Sequence, residues 1–324
     1  MLKYYLLSFI RLFLEKKSRN VRRFIQGIGA EKREDVRQTE FAFDVTANVI
    51  LLIKDGLPEG MQIKSVRNQA PAAINKSFIV NDNLVVKFMP KELIKYSVAA
   101  SELLRENIDN IQFPYIHSAQ NGEYLFYDFL PGRPVYNDNT SDEILSDLAN
   151  FIARLHALDV GAAFSKYAYV PPIIFNGDNM IVDSSLSEFV GYDISSDVKK
   201  IQSVFATHRL QRLIFNHSDL GVKNLLQDEH GRLFAVLDLD SFALSNNPLH
   251  EFRAFWEMDF QRLFAFIKIQ NEAYKAHGLE IHISEYDAIC AVKNFWYYLL
   301  RYALNVQDYN TLRLCCEKIK EIDL

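Results

Sequence analysis

One stretch, Ile214 to Phe242 (IFNHSDLGVKNLLQDEHGRLFAVLDLDSF), constrains the chain more than any other, because it sets polar, chemistry-bearing side chains at fixed offsets between short apolar runs. It holds His217-x-Asp219-x-x-x-x-Asn224, then the apolar pair Leu225-Leu226, a polar turn around Asp228 to Gly231, and an apolar run Leu233 to Leu237 that delivers Asp238. Two apolar runs around a polar turn predict a hairpin, which would bring Asn224 and Asp238 together. An amide and a carboxylate are hard oxygen ligands of the kind magnesium prefers, and Asp219 can accept or orient a hydroxyl proton. The set therefore suits phosphoryl transfer. Asp240, two residues beyond Asp238, would share its sheet face if the strand continued, as a further metal or acceptor contact; a turn-capping aspartate is the equal alternative.

The sequence on either side of this stretch differs in character. From Met61 to Val66, Ser77 to Val80 and Leu84 to Met89 the chain reads as short strands, the last two joined by Asn81-Asp82-Asn83 in hairpin grammar. Lys91 to Ile108 has helical spacing, and Tyr115 to Ser118 and Tyr124 to Phe129 are two more strand candidates. After Leu130-Pro131-Gly132 helices dominate: Ser141 to Leu158 is strongly periodic with Ser141 as its expected N-cap, and most of Phe252 to Leu324 is helical in pattern. The expected organisation is an N-terminal segment 1–40, a small antiparallel-sheet lobe 41–130 with one helix, and a larger, mostly helical lobe 131–324. With 324 residues, 49 % of them hydrophobic and 13 % aromatic, the chain is rich enough in apolar side chains to fold throughout.

A net charge of −5 supplies no global basic field, so a nucleic-acid partner is not expected. Cys290, Cys315 and Cys316 form no CxxC pair and read as free thiols of a reducing cytosol. Met1 to Arg23 combines apolar residues at helical spacing (Leu2, Tyr5, Leu6, Phe9, Leu12, Phe13) with seven basic residues against Glu15 alone. Arg11 interrupts it and it is too short to span a bilayer; no small-residue cleavage site follows. Two readings stand for this amphipathic helix: peripheral contact with the inner, anionic face of a membrane, or docking on the body of the protein.

On these residues the chain resembles the aminoglycoside phosphotransferase and choline kinase superfamily, a branch of the protein-kinase-like fold. His217-x-Asp219-x-x-x-x-Asn224 followed by Asp238 resembles its catalytic loop and metal aspartate. Val85-Val86-Lys87-Phe88 resembles its third strand, Tyr124 to Val135 (YLFYDFLPGRPV) its hinge strand and following turn, Ala153 to Leu158 (ARLHAL) the end of a helix with its His156, and Asn247-Pro248-Leu249 the segment after the metal aspartate. The resemblance covers roughly residues 62 to 260 and implies a bilobal α+β fold, ATP and Mg2+ as cofactors, and a small-molecule or glycan acceptor. It further implies Asp219 as the catalytic aspartate, Asn224 and Asp238 as magnesium ligands, Lys87 on the nucleotide phosphates with Glu102 holding it, and the backbone around Tyr127 to Phe129 against the adenine. His217 would be a scaffold residue, because this fold works by positioning and charge neutralisation.

Two departures stand out. The phosphate-covering loop, Asn68 to Ser77, has no glycine, so Asn75 and Ser77 are expected to serve in its place; the catalytic loop has Ser218 where glycine often stands, and carries Lys223. Lys223 reads either as a neutraliser of transition-state charge or as an exposed side chain. Two rivals remain: a kinase-like module that binds nucleotide without turnover, and a glycosyltransferase reading Asp238-Leu239-Asp240 as its DxD metal site. The second would need an early alternating β-α sheet, and the hairpins of the first half argue against it.

Overall fold

A computed structural model of the protein describes residues 57, 62–68, 77–88, 91–118, 124–136, 140–166, 186–252, 255–256 and 258–324. The amphipathic segment Met1 to Arg23 and Asn75 lie outside the described residues. The described residues fall into two compact units: those up to Ile94 together with His117–Phe129, and Lys95–Ile116 together with Leu130–Leu324.

The smaller unit is a five-stranded sheet of β1 (Val66–Asn68), β2 (Ser77–Val80), β3 (Leu84–Phe88), β4 (Ile116–Ser118) and β5 (Tyr124–Asp128), in the order β1-β2-β3-β5-β4. The expected hairpin forms at Asn81-Asp82-Asn83. Asn81 (φ 53°) and Asp82 (φ 57°) take the left-handed conformation that short polar side chains tolerate. Asn81 also ties the turn to the preceding chain, its Oδ1 accepting from the Lys64 N–H at 2.7 Å and its Nδ2 donating to the Gln62 carbonyl at 2.8 Å. The pairing β1/β2, β2/β3 and β3/β5 is antiparallel, and its register sorts the side chains by face. Phe78, Val86 and Phe126 form one row across the sheet, and with Val80 and Leu84 they make a small apolar core. The other face carries Ser77, Lys87 and Leu125 in one row and Ile79, Val85 and Tyr127 in the next.

From Lys95 onward α1 (Lys91–Asn107) belongs to the larger unit and sends Ala100, Leu103 and Leu104 into the main core, followed by Ile108 and Phe113. That burial is why residues 95–116 group with the second unit, whereas the sequence pattern placed them with the sheet. Ser141 caps α2 (Asp142–Ala157) as expected, its hydroxyl accepting from the Ile144 N–H at 3.3 Å, and the helix buries Ile144, Leu145, Leu148, Phe151, Ile152 and Leu155. Next come α3 (Val160–Lys166), α4 (Ser187–Val190) and α5 (Ser195–Thr207). Two small sheets then build the platform for the conspicuous segment. β7 (Ile214–Asn216) pairs antiparallel with β10 (Ala243–Ser245), and β6 (Arg133–Pro134), β8 (Leu225–Gln227) and β9 (Leu233–Val236) form a three-stranded sheet. The last helices are α6 (Leu249–Phe252), α7 (Phe260–Ala276), α8 (Glu285–Val306) and α9 (Tyr309–Glu321).

A buried polar network joins α5, α8 and the chain beyond α9. Asp197 Oδ2 accepts from Lys293 at 2.7 Å, Tyr297 at 2.6 Å and Tyr192 at 2.9 Å, while Lys293 Nζ also donates to the Ile322 carbonyl at 2.5 Å. These four bonds satisfy groups among which an unpaired charge would be costly. Among the described residues, no helix is long and apolar enough to cross a membrane.

Candidate active site

The catalytic-loop segment lies wholly in the larger unit, and its conformation follows from how its backbone groups are spent. β7 ends at Asn216, and His217, fully buried, turns the chain inward. Both ring nitrogens of His217 bond to backbone: Nε2 with the Leu237 carbonyl at 2.8 Å, Nδ1 with the Asp219 N–H at 3.4 Å. Since Nδ1 accepts, Nε2 carries the proton, and burial lowers the imidazole pKa so that the ring stays neutral. His217 is thus a scaffold that ties the loop to the end of β9.

Ser218 then takes φ 68°, a strained conformation for a residue with a Cβ. Glu251 holds it there. This carboxylate, fully buried on α6, accepts from the His217 N–H at 2.8 Å through Oε2 and from the Ser218 N–H at 3.3 Å through Oε1. Sequence reasoning missed Glu251: its burial with Leu249, His250 and Phe252, which demands partners for the acid, is visible only in the fold.

Past Ser218, Asp219 emerges half-buried. The chain closes a 3-10 turn over Val222–Asn224, and the buried Asn224 turns back on Asp219, its Nδ2 donating to the Asp219 carbonyl at 2.7 Å and to Oδ2 at 3.3 Å. Lys223 Nζ stands 3.1 Å from the same Oδ2. Every described contact of the carboxylate thus falls on Oδ2, and Oδ1 accepts from none of the described residues.

The β8–β9 hairpin brings Asp238 to this loop as the sequence predicts. Leu225 pairs with Val236, and the Leu237 N–H donates to the Asn224 carbonyl at 2.8 Å, so Asp238 follows directly on the backbone partner of Asn224. Asp238 is half-buried in the left-handed conformation, φ 63° and ψ 59°. The strand does not continue: Leu239–Ser241 is a 3-10 turn, so Asp240 does not share a sheet face with Asp238 and belongs to the turn.

Asn224 and Asp238 fit a magnesium site by their chemistry. The Asn224 amide nitrogen is committed to Asp219, which leaves its carbonyl oxygen as the ligand atom, beside a carboxylate delivered by the hairpin.

The nucleotide residues predicted from the sequence lie elsewhere. Ser77 and Lys87 are direct cross-strand partners in the smaller unit, Lys87 is only 6 % exposed, and Tyr127 shares their sheet face beside Ile79, Val85 and Leu125. The Phe129 N–H donates to the Asn83 carbonyl at 2.9 Å and is spent within the sheet. In an antiparallel ladder the bonding direction alternates, so the backbone of Asp128, not that of Tyr127 or Phe129, points away from β3. Glu102 is exposed on α1, off the face that carries Ser97, Ser101, Leu104 and Ile108, and makes no hydrogen bond or ion pair among the described residues.

Solved structures share the fold. An aminoglycoside 2'-phosphotransferase mutant in complex with GDP superposes with a TM-score of 0.65 at 18 % identity, covering 86 % of this chain and 96 % of that one. A macrolide 2'-phosphotransferase from Brachybacterium faecium gives a TM-score of 0.62 at 15 % identity over 86 % and 99 % of the two chains. A type I macrolide 2'-phosphotransferase gives 0.63 at 15 % identity over 88 % and 99 %. These likenesses show a shared kinase-like fold, and no curated protein sequence matches the chain. Residues 70–283 match the model of the phosphotransferase enzyme family, and with two thirds of its length so matched the chain belongs to that family.

Proposed function

We propose that the protein transfers the terminal phosphoryl group of ATP, with Mg2+, to a hydroxyl of a small-molecule or glycan acceptor. The observation that carries this reading is the asymmetric Asp219 carboxylate: Asn224 and Lys223 hold Oδ2, and Oδ1 is left to receive an acceptor hydroxyl. In the reaction the hydroxyl proton passes to Asp219, the hydroxyl oxygen forms the new bond to the γ-phosphorus, and the bond from that phosphorus to the bridging oxygen breaks, leaving its electron pair on the nucleoside diphosphate. Asn224 and Asp238 would hold the metal, which when bound neutralises charge on the nucleotide phosphates. Lys87 would meet those phosphates, supported by Ser77 across the strand and by Asn75. The Ile79, Val85, Leu125 and Tyr127 face of the sheet offers an apolar bed for a base, with the hinge backbone from Tyr127 to Phe129 at its end.

Relatives of this fold whose structures hold gentamicin or kanamycin support a small polyhydroxylated acceptor. The test is Mg-dependent ATP turnover by the purified protein over a panel of aminoglycosides, macrolides, amino-alcohols, sugars and glycolipid precursors, with mass spectrometry for an added phosphate. An acceptor that raises turnover and gains one phosphate names the substrate. ATP binding without turnover on any acceptor favours the non-catalytic module. The basic amphipathic pattern of residues 1–23 supports peripheral contact with an anionic membrane. The full chain should then co-sediment with anionic liposomes at low salt, and a chain lacking these residues should not.

A further inference from the structure

We propose that Lys223 is a catalytic residue, its ammonium bonding the phosphoryl group in transit; this rests on the phosphotransferase reading above. Lys223 occupies the middle of the 3-10 turn Val222–Asn224, between two buried side chains (Val222 at 6 % and Asn224 at 7 % exposure), and is itself half-exposed. The turn therefore fixes where its stem begins and sets its head beside Asp219, with Nζ 3.1 Å from Oδ2. An exposed pair at i,i+4 spacing adds little stability, so the fold gains almost nothing from a lysine at this point.

The gain lies in the reaction. A hydroxyl held on Asp219 places its oxygen about 2.7 Å from the carboxylate, and a phosphorus poised for attack stands about 3 to 3.5 Å beyond that oxygen. The phosphoryl oxygens then come within about 4 to 6 Å of Asp219, a span that the flexible four-carbon stem of a lysine already anchored there covers. Charge in this transfer is spread over the equatorial oxygens, and it must gather against the negative charge of Asp219. An ammonium between the two offsets both. Lys223 donates only hydrogen bonds: the acceptor proton goes to Asp219 and the leaving electron pair to the nucleoside diphosphate.

An interaction made chiefly in transit should appear in kcat and in affinity for a mimic of the transferring group, and not in affinity for nucleotide alone. The experiment compares wild type, Lys223→Met and Lys223→Arg by calorimetric titration with Mg-ADP, with and without aluminium fluoride, and by steady-state turnover of Mg-ATP. Expected for Lys223→Met is Mg-ADP binding within about 2-fold of wild type, weakening of the aluminium fluoride complex by about 10- to 100-fold, and a matching fall in kcat at unchanged KM for ATP. Lys223→Arg should recover part of both, because it restores the charge. Wild-type affinity for the fluoride complex and wild-type kcat in Lys223→Met would overturn the proposal, as would an equal loss of Mg-ADP affinity, which would mark a ground-state contact. If wild type itself neither binds nor turns over ATP, the phosphotransferase reading fails and the role of Lys223 with it. Wild-type turnover that Lys223→Met leaves intact sinks the lysine alone.

Discussion

A carboxylate that receives two N–H groups from one strained stretch of backbone is hard to replace, and Glu251 shows why at the level of single atoms. Its two oxygens accept from His217 and Ser218, and the second of these sits at φ 68° just before Asp219. Glutamine at this position keeps the shape but turns an NH2 toward one of the two N–H donors. That donor loses its partner inside the protein, so Glu251→Gln should cost about 1 to 3 kcal/mol and lower the melting temperature in a thermal scan. The loop it releases carries Asp219, so kcat should fall together with stability. Loss of stability with unchanged kcat would show that the loop holds its shape without this carboxylate.

At the scale of elements, the hairpin β8–β9 is the part on which the site depends, because it seats Asp238 behind Asn224. It packs under the turn that follows the first unit. A Cβ added to Gly132 would lie 2.7 Å from Leu226 Cβ and 2.8 Å from Phe234 Cδ1, both on the hairpin. Gly132→Ala should therefore destabilise by about 1 to 3 kcal/mol through overpacking, measurable by denaturant titration, while Gly132→Ser should fare no better. This hairpin was legible in the sequence, because two apolar runs around Asp228 to Gly231 leave few other options. So were the Ser141 cap of α2 and the β2–β3 turn, each written in local residue chemistry. Other features were not. Glu251 contacts the catalytic loop across 34 residues, and no local pattern announces a contact of that range. The end of β9 before Asp240, and the grouping of residues 95–116 with the helices, depend on which faces find partners, as does the exposure of Glu102. The bonding alternation that spends the Phe129 N–H on Asn83 follows from register, which spacing alone leaves open.

Over the whole molecule, folding buries imidazoles that must stay neutral. His156 is fully buried, its Nδ1 shares a hydrogen bond of 2.9 Å with the Tyr274 hydroxyl, and burial, with the Arg212 charge second, lowers its pKa to about 3. In the unfolded chain a histidine titrates near pH 6.5, at about its ordinary value. Between these limits the unfolded state binds the extra proton, so the contribution of His156 to stability is complete above about pH 6.5 and is lost as pH falls toward 3. Burial of His217 acts in the same direction. The melting temperature should thus begin to fall below about pH 6.5, before the exposed carboxylates titrate, and His156→Gln should flatten part of that slope. A melting temperature level from pH 7 to pH 5 would contradict this account.

The central claim is that the Asp219, Asn224 and Asp238 constellation moves a phosphoryl group. The most direct measurement is Mg-dependent release of ADP from ATP, with and without acceptor, by wild type beside Asp219→Asn and Asp238→Ala, each first shown to be folded by circular dichroism. Loss of a positioned acid–base group costs about 100- to 10,000-fold, so Asp219→Asn should fall by that factor. Asp238→Ala should fall at least as far and not recover as magnesium is raised. Wild-type turnover in either variant would contradict the assignment of the site.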